Sequence, residues 1–475
     1  MPKEGPRQPK PPAKVTARSA ACFALLKQAK AWPDLQPLEP ETSGLDARDG
    51  ALAHAIYEQG VRRWITLSFL FELALDRPWA NIDKPAQAAL IAGGAQVLFL
   101  SRVPAYAAID ETVGWIKSGP GKVAKAAGLV NAGLRSLTRM LGMDKGEMVR
   151  RDAWNDARDA LPLGDGSAVQ FVSPVLPPDA NTRRSIACGV PLTLYHDWVS
   201  KYGPAVAAMI ALHTLMDPPV TLNTEFANAN DLAQASESLT PHSQTGCHVY
   251  IGEGSQLGAF LKAKHDIWVQ DASSTRAIRG AAGRLQLEVA HPKPLPGGGA
   301  FCIVDLCAGQ GTKTRQLLRT FPSARVIASD TDEKRMSALR DLAATEPRLE
   351  ALPHADVGAF LGKADLVLLD VPCSNAGVLA RRPEAAARAL TDQLTRLVEL
   401  QREIIGKGVR LLSPTGKLLY STCSIDSREN EQQAEWMRRE FGLKVDHMDV
   451  VVPSGVPGEA KTVYADGAFS VLMGR

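Results

Sequence analysis

The sequence predicts a multidomain chain: an all-helical N-terminal domain, then an α/β domain built on a parallel sheet. From about residue 15 to 142, apolar residues recur at three- and four-residue spacing and no strand-like alternation appears. From about residue 270 to the end, short apolar runs alternate with helical periods, the pattern of parallel strands covered on both faces. A glycine-containing loop stands where the first of those strands passes into its helix.

The elements follow in order. Residues 1–14 mix Pro2, Pro6, Pro9, Pro11 and Pro12 with Lys3, Arg7, Lys10 and Lys14, a composition that builds no core and predicts a disordered basic tail. In residues 15–142, Lys84-Pro85 opens a helix carrying Ala86, Ala89, Leu90, Gly93, Val97 and Leu98, and 110–117 and 122–141 continue the pattern. Residues 143–190 read as linker, with turns at 161–166 and at Pro174–Pro178. Residues 191–269 read as a small mixed subdomain. Its helix over 204–216 is stopped by Pro218-Pro219, and a β-like piece covers 247–251.

In residues 270–475 strands are predicted at 301–306, 325–329, 365–369 and 417–421, with a further one before Asp356. Helices are predicted at 313–321, 332–344, 391–412 and 427–441, the last capped by Ser427 with Glu429 and Glu431 in its first turn.

Composition bounds the function loosely. A chain of 475 residues with 45% apolar and 22% charged residues is an ordinary globular protein of two or three domains. The net charge of +3 permits a polyanionic partner without requiring one. No signal peptide is visible, and the most apolar stretch, 86–100, is too short to span a bilayer. Seven cysteines with no CxxC pair argue against a metal ribbon or a redox dithiol, and point to free thiols in a reducing cytoplasm.

The loop Asp305-Leu306-Cys307-Ala308-Gly309-Gln310-Gly311-Thr312-Lys313-Thr314 turns a strand into a helix, which makes the domain Rossmann-like. Small residues allow close approach of a ligand, and the helix start offers free N–H groups to a carboxylate. Asp330, about twenty residues past the glycines, has the spacing of a carboxylate that grips ribose hydroxyls. Asp356 follows a third strand, where it can accept a bond from an adenine amino group. The loop is not a Gly-x-x-x-x-Gly-Lys-Ser/Thr element, which disfavours a nucleoside triphosphatase.

Two cysteines stand at two strand ends, in Asp370-Val371-Pro372-Cys373-Ser374 and Ser421-Thr422-Cys423-Ser424. Alone, either is more often a small buried hydrophobe, as Cys302 and Cys307 are here read to be. Parallel strands open both ends onto one edge, so two thiols and a carboxylate converge beside the glycine loop. Such a set suits methylation of cytosine C5. That carbon is too electron-poor to attack a sulfonium methyl until a thiolate adds to C6 and makes it enamine-like. A base must then remove the C5 proton, and a carboxylate near N3 assists as charge builds.

Segments 305–314, 370–377, 381–384 and 420–431 resemble the signatures of the RsmB/Sun (NOL1/NOP2/Sun) RNA 5-methylcytosine methyltransferases, in order across the C-terminal half. The resemblance implies S-adenosylmethionine as cofactor, with Cys423 as nucleophile, Cys373 aiding product release and Asp370 beside cofactor and base. It carries cofactor contacts to Cys307, Ala308, Gly309, Gln310, Gly311, Thr312, Lys313, Asp330 and Asp356. The helical region is similar to the NusB-like RNA-binding domain of the RsmB branch, through 45–49, 61–63, 75–78, 98–105 and 130–135. That similarity implies small-subunit ribosomal RNA as partner, with RNA contact also at 191–269. Candidate RNA contacts are Arg62, Arg63, Arg102, Arg135, Arg381 and Arg382. No metal and no membrane are implied.

The loop departs from the family's usual Cys-Ala-Ala/Gly-Pro-Gly-Gly-Lys-Thr, since Gln310 replaces proline and Thr312 the second glycine. Asn375 and Ala376 stand where Ser/Ala-Gly or Ala-Thr is common. Other readings are a ribosome-assembly protein without turnover, a tRNA cytosine C5-methyltransferase, and a DNA cytosine methyltransferase. The last is disfavoured by the Thr-Cys motif and the NusB-like text.

Overall fold

The computed structural model describes residues 15–144, 146–264, 266–290 and 301–475; the expected basic tail, residues 1–14, lies outside them. Two compact units result, one running to Leu163 and resuming over Ser167–Tyr195, the other holding Gly164–Gly166 and His196–Arg475.

The first unit is helical to residue 140, with helices Ala17–Ala31, Ala47–Arg62, Trp64–Leu75, Lys84–Phe99, Ala105–Ser118 and Ala127–Met140. Lys84–Phe99 is buried from Ala86 to Leu98 all the way round, as a helix at the centre of a bundle must be. Its proline sits in the first turn, where the missing N–H costs nothing.

The stretch 143–190, expected as linker, holds a three-stranded antiparallel sheet (150–151, 168–170, 160–162) followed by the helix Ala180–Cys188. Strands of two or three residues are too short to print an alternation, yet Leu161, Val169, Phe171 and Leu176 are fully buried.

Two arginines expected to meet RNA phosphates are instead interior. Arg62 is 5% exposed and pairs with Glu58 one turn back. Arg63, 1% exposed, donates to the carbonyls of Ala187 at 2.8 Å and Pro162 at 2.6 Å and lies over the Phe99 ring. Burial pushes its guanidinium down to about 9. Arg102 and Arg135 are exposed.

In the second unit, the expected 204–216 helix is the second half of Leu192–His213, which breaks at Gly203 (φ 81°) just before Pro204. Short antiparallel strands at 239–241, 247–250, 221–223 and 268–269 then pair in that spatial order.

The α/β domain follows, with β1 (Cys302–Asp305), β2 (Arg325–Ala328), β3 (Leu349–Ala351), β4 (Ala364–Asp370), β5 (Leu412–Thr422), β6 (Lys444–Val451) and β7 (Ala468–Gly474). Their spatial order is β3-β2-β1-β4-β5-β7-β6. The first five strands are parallel, and β7 runs antiparallel between β5 and β6. The sheet is therefore mixed, and the two last strands were not anticipated. At the edge, β6 carries Lys444, Asp446 and Asp449 along an exposed pattern, which masks it in sequence and blunts edge pairing.

The final helix begins at Glu431 with Asn430 as its cap residue, later than expected; the Ser427 carbonyl accepts from the Asn430 and Gln432 amides, and its hydroxyl from Gln432 Nε2 rather than from a helix amide. Among the described residues no helix is long and apolar enough to cross a membrane.

Replacing Arg63 by Met should strand two buried carbonyls and lower the unfolding free energy by roughly 2–3 kcal/mol. Arg102→Ala should change it by less than about 0.5 kcal/mol. Urea unfolding of the two full-length variants measures both. Equal stabilities would remove the interior role of Arg63.

Candidate active site

Strand order reverses direction between β1 and β4, and the crevice beyond their carboxyl ends is where an open α/β sheet binds ligands. The glycine loop lines it. From the end of β1 the Ala308 amide donates to the Ser329 carbonyl at 3.0 Å, and the Gly309 amide donates to Asp330 Oδ2 at 3.0 Å. Gly311 (φ 87°) then hands the chain to the helix Thr312–Thr320, and a Cβ there would also press on Leu342 and Leu339. Gln310 is exposed and Cys307 half-buried, its thiol pushed up by burial and by the carboxylates of Asp305, Asp370 and Asp330.

Asp330 is buried at the end of β2, and its second oxygen accepts from the Asp332 amide. Asp356 is exposed on the 3-10 turn that follows β3.

Beneath the loop sits Asp305, fully buried. Thr314 Oγ1 donates to its Oδ2 at 2.7 Å, and its Oδ1 has no partner. Burial, with the nearby Asp370 and Asp330, raises this carboxyl to about 7. Lys313 reaches across the crevice to Asp370 Oδ2 at 2.8 Å and to Ser274 Oγ at 3.1 Å. Burial works against its charge, but Asp370, Cys423 and Asp305 outweigh it and the ammonium is raised. Ser421 Oγ donates to the other oxygen of Asp370 at 2.7 Å.

The two cysteines come together. Cys373, at the end of the turn after β4, is 3.0 Å from Cys423, which follows β5. The turns are laced by backbone: the Gly377 amide donates to the Cys423 carbonyl at 3.0 Å, and the Gly467 amide to the Gly377 carbonyl at 2.7 Å. A Cβ on Gly377 would lie 2.6 Å from the Gly467 oxygen and 2.7 Å from that of Cys423. Cys423 is half-buried and donates to Asn375 Oδ1 at 3.0 Å; Cys373 is buried. The hydrogen bond to Cys423, burial and the charge of Cys423 push the Cys373 thiol well up.

Glu429, expected in the first turn of a helix, is buried behind this pair. It accepts from the Ser374 amide at 2.8 Å, from Ser374 Oγ at 2.6 Å and from Gln401 Nε2 at 3.0 Å. Burial raises its carboxyl against those hydrogen bonds. Glu429, Ser421, Ser274 and Asn375 were not singled out as site residues from sequence. Ser421 and Asn375 adjoin the two cysteine motifs. Glu429 was hidden by its polar neighbours.

Arg381 is exposed, but its guanidinium is engaged within the protein. It donates to Asp466 at 2.6 Å, Asp271 at 3.1 Å and the Pro219 carbonyl at 3.1 Å, which makes it a tie between the small subdomain and β7. Arg382 is exposed. Among the described residues no three His, Cys, Asp or Glu side chains are grouped to hold a metal ion.

The strand order, the loop after β1 and the carboxylates at the ends of β1, β2 and β4 define a Rossmann-like methyltransferase domain that follows a helical one in sequence. The particular family follows from comparison. Residues 296–456 match the family model described as 16S rRNA methyltransferase RsmB/F, and residues 15–139 match that of the NusB family. The chain is 27% identical over 480 residues to the ribosomal RNA small subunit methyltransferase B of Vibrio cholerae, covering 97% of this chain and 98% of that protein. It is 28% identical over 443 residues to the protein of the same name from Xanthomonas campestris, covering 90% and 89%. The crystal structure of PH0851 superposes with a TM-score of 0.62 at 17% identity, covering 97% of this chain and 99% of that one, a likeness of fold.

Gly377→Ala should force the two cysteine turns apart, at a cost of about 2 kcal/mol in stability. Its thermal midpoint, and mass-spectrometric counting of crosslinks by a short dithiol-reactive reagent, read this out. Unchanged crosslinking would show that the backbone lacing does not set the thiol pair.

Proposed function

We propose that the chain is an S-adenosylmethionine-dependent RNA cytosine C5-methyltransferase acting on small-subunit ribosomal RNA, with Cys423 attacking C6 of the base. The observation that carries this reading is the pair of thiols 3.0 Å apart at the ends of neighbouring strands, beside the Asp370–Lys313 pair. The curated relatives named for small-subunit ribosomal RNA, aligned over most of the chain, support the substrate.

The crevice suits a cationic cofactor. Asp305, Asp330 and Asp370 converge on it, and the buried Oδ1 of Asp305 lacks a partner. Backbone amides fix both oxygens of Asp330, whose remaining lone pairs can take ribose hydroxyls. The N–H groups opening the Thr312–Thr320 helix suit a carboxylate, and Asp356 an adenine amino group. When bound there, S-adenosylmethionine supplies an electrophilic methyl group. Gln310 and Thr312 leave the turn intact, because Gly309 and Gly311 hold the left-handed positions.

The chain's own residues divide the remaining work. The Cys423 thiolate forms a bond to C6, and the displaced electron pair makes C5 nucleophilic. Charge gathering on N3 meets the hydrogen-bonded Asp370–Lys313 pair. At rest Cys373 keeps its proton, because of the hydrogen bond to Cys423, burial and the charge of Cys423. Bond formation at Cys423 removes the first and third of these causes and lowers the Cys373 thiol; once that thiol has given its own proton to solvent, its thiolate can take the C5 proton. Loss of that proton re-forms the C5–C6 double bond as the Cys423–C6 bond breaks.

Cys423→Ala should abolish methylation and any covalent adduct. Cys373→Ala should accumulate enzyme attached to RNA, seen on a denaturing gel as a slow, RNase-sensitive band, and the double variant should lose it. A band with Cys423→Ala and none with Cys373→Ala would reverse the roles.

Asp305 gives a pH prediction. In the free protein a carboxyl raised from 3.8 to about 7 adds stability that is complete below its ordinary range and lost as pH rises toward 7. A cationic cofactor favours the ionised form, so binding should release a proton and tighten as pH rises from about 6 to 8. Calorimetry in buffers of different ionisation enthalpy measures both. Affinity and proton release that ignore pH, or that persist in Asp305→Asn, would contradict it.

A further inference from the structure

Asn375 occupies a backbone position that few residues tolerate. Its φ of 62° is left-handed, where glycine, asparagine and aspartate are the comfortable side chains. Its amide meets Cys423 Sγ at 3.0 Å, and its backbone N–H lowers the neighbouring Cys373 thiol, so one residue addresses both sulfurs.

With Cys423 as a thiol, the amide oxygen accepts the S–H. Once the proton leaves, a carbonyl oxygen at that distance would face a full negative charge. Rotation of the amide by half a turn exchanges oxygen for NH₂ without moving the backbone, and O and N are alike in shape. The NH₂ then donates to the sulfur. The other groups facing Cys423 are the Cys373 thiol, the Lys313 ammonium with its partner Asp370, and the buried Glu429 behind Cys373. Only Lys313 among these is cationic, and it is shared with a carboxylate. A neutral donor aimed at the sulfur therefore has an effect of its own.

We propose that Asn375 is a catalytic residue of this chain, whose side-chain amide accepts from the Cys423 thiol and donates to its thiolate. This rests on the reading of Cys423 as nucleophile. It adds a group that the usual Ser/Ala-Gly or Ala-Thr text at this turn lacks.

The test is the pH profile of Cys423 alkylation by iodoacetamide, followed by peptide mapping of the full-length protein, which needs neither RNA nor cofactor. Asn375→Gly keeps the left-handed backbone and removes the amide; its alkylation midpoint should rise by about one pH unit, roughly a tenfold loss of thiolate near neutrality. Asn375→Asp also fits the turn but places a carboxylate against the sulfur, and its midpoint should rise further. Thermal midpoints of both variants should stay near that of the parent. A midpoint unmoved in Asn375→Gly, or a rate scaled equally at every pH, would overturn the proposal and leave Asn375 a turn residue. If the midpoints move as stated but Cys423→Ala still forms the RNA adduct, the nucleophile assignment fails instead.

Discussion

The hydrogen bond from the Gly377 amide to the Cys423 carbonyl is the contact on which the rest of the site depends. It joins the turn after β4 to the turn after β5, and the Gly467 amide closes the same lace from the start of β7. Backbone contacts this close exclude a Cβ, so glycine is required at 377 by space alone. Because the bonded groups are main chain, the backbone positions of the two cysteines inherit their separation from the sheet. Glu429 repeats the constraint from behind by holding the Ser374 amide and hydroxyl. A buried carboxylate with three protein donors is costly to form and stiff once formed, which suits a part that must keep two thiols in register.

The parts of this arrangement legible in sequence are those carried by the chain's local pattern. The Gly309–Gly311 turn, the strand ends at Asp305, Asp330 and Asp370, and the two cysteine motifs each sit within a few residues of an apolar strand, so period and punctuation place them. Arg63 shows the limit. A pair of arginines at the end of a helix reads as a cationic surface, yet Arg63 caps two carbonyls that arrive from about a hundred residues away. Long-range partners leave no mark on the local text. β6 and β7 fail for a different reason: one is a charged edge strand and the other follows a loop that no period anticipates. Glu429 combines both difficulties, since its polar neighbours imitate a helix start while its partners lie in the turn after β4 and on the helix Gln393–Leu411.

Charge is distributed unevenly in the crevice, and the imbalance has a direction. Asp305, Asp330 and Asp370 face it, answered by the half-buried Lys313 on Asp370 and the exposed Arg335 on Asp330. Burial first, and this surplus second, favour the protonated form of Asp305 and raise it far above an ordinary carboxyl. A ligand bearing positive charge acts the other way, by letting the carboxylate ionise. The same lysine is bonded to Asp370 and lies close enough to Cys423 to be raised by it, so cofactor-side and base-side electrostatics meet at one ammonium.

The antiparallel β7 bears on this because of where its approach runs. Residues leading into it supply Asp466 and Gly467: the first receives Arg381, and the second closes the lace on Gly377. Arg381 also holds Asp271 and the Pro219 carbonyl, so the small subdomain is tied to the same segment that fixes the cysteine turns. Burial and Asp271 raise Asp466 to about 7, and Tyr464 donates to its other oxygen at 2.6 Å. A segment bonded on one side to the nucleophile's turn and on the other to the subdomain makes their geometries interdependent. The sheet's one reversal of direction is thus what brings the subdomain and the catalytic strand ends under a common constraint.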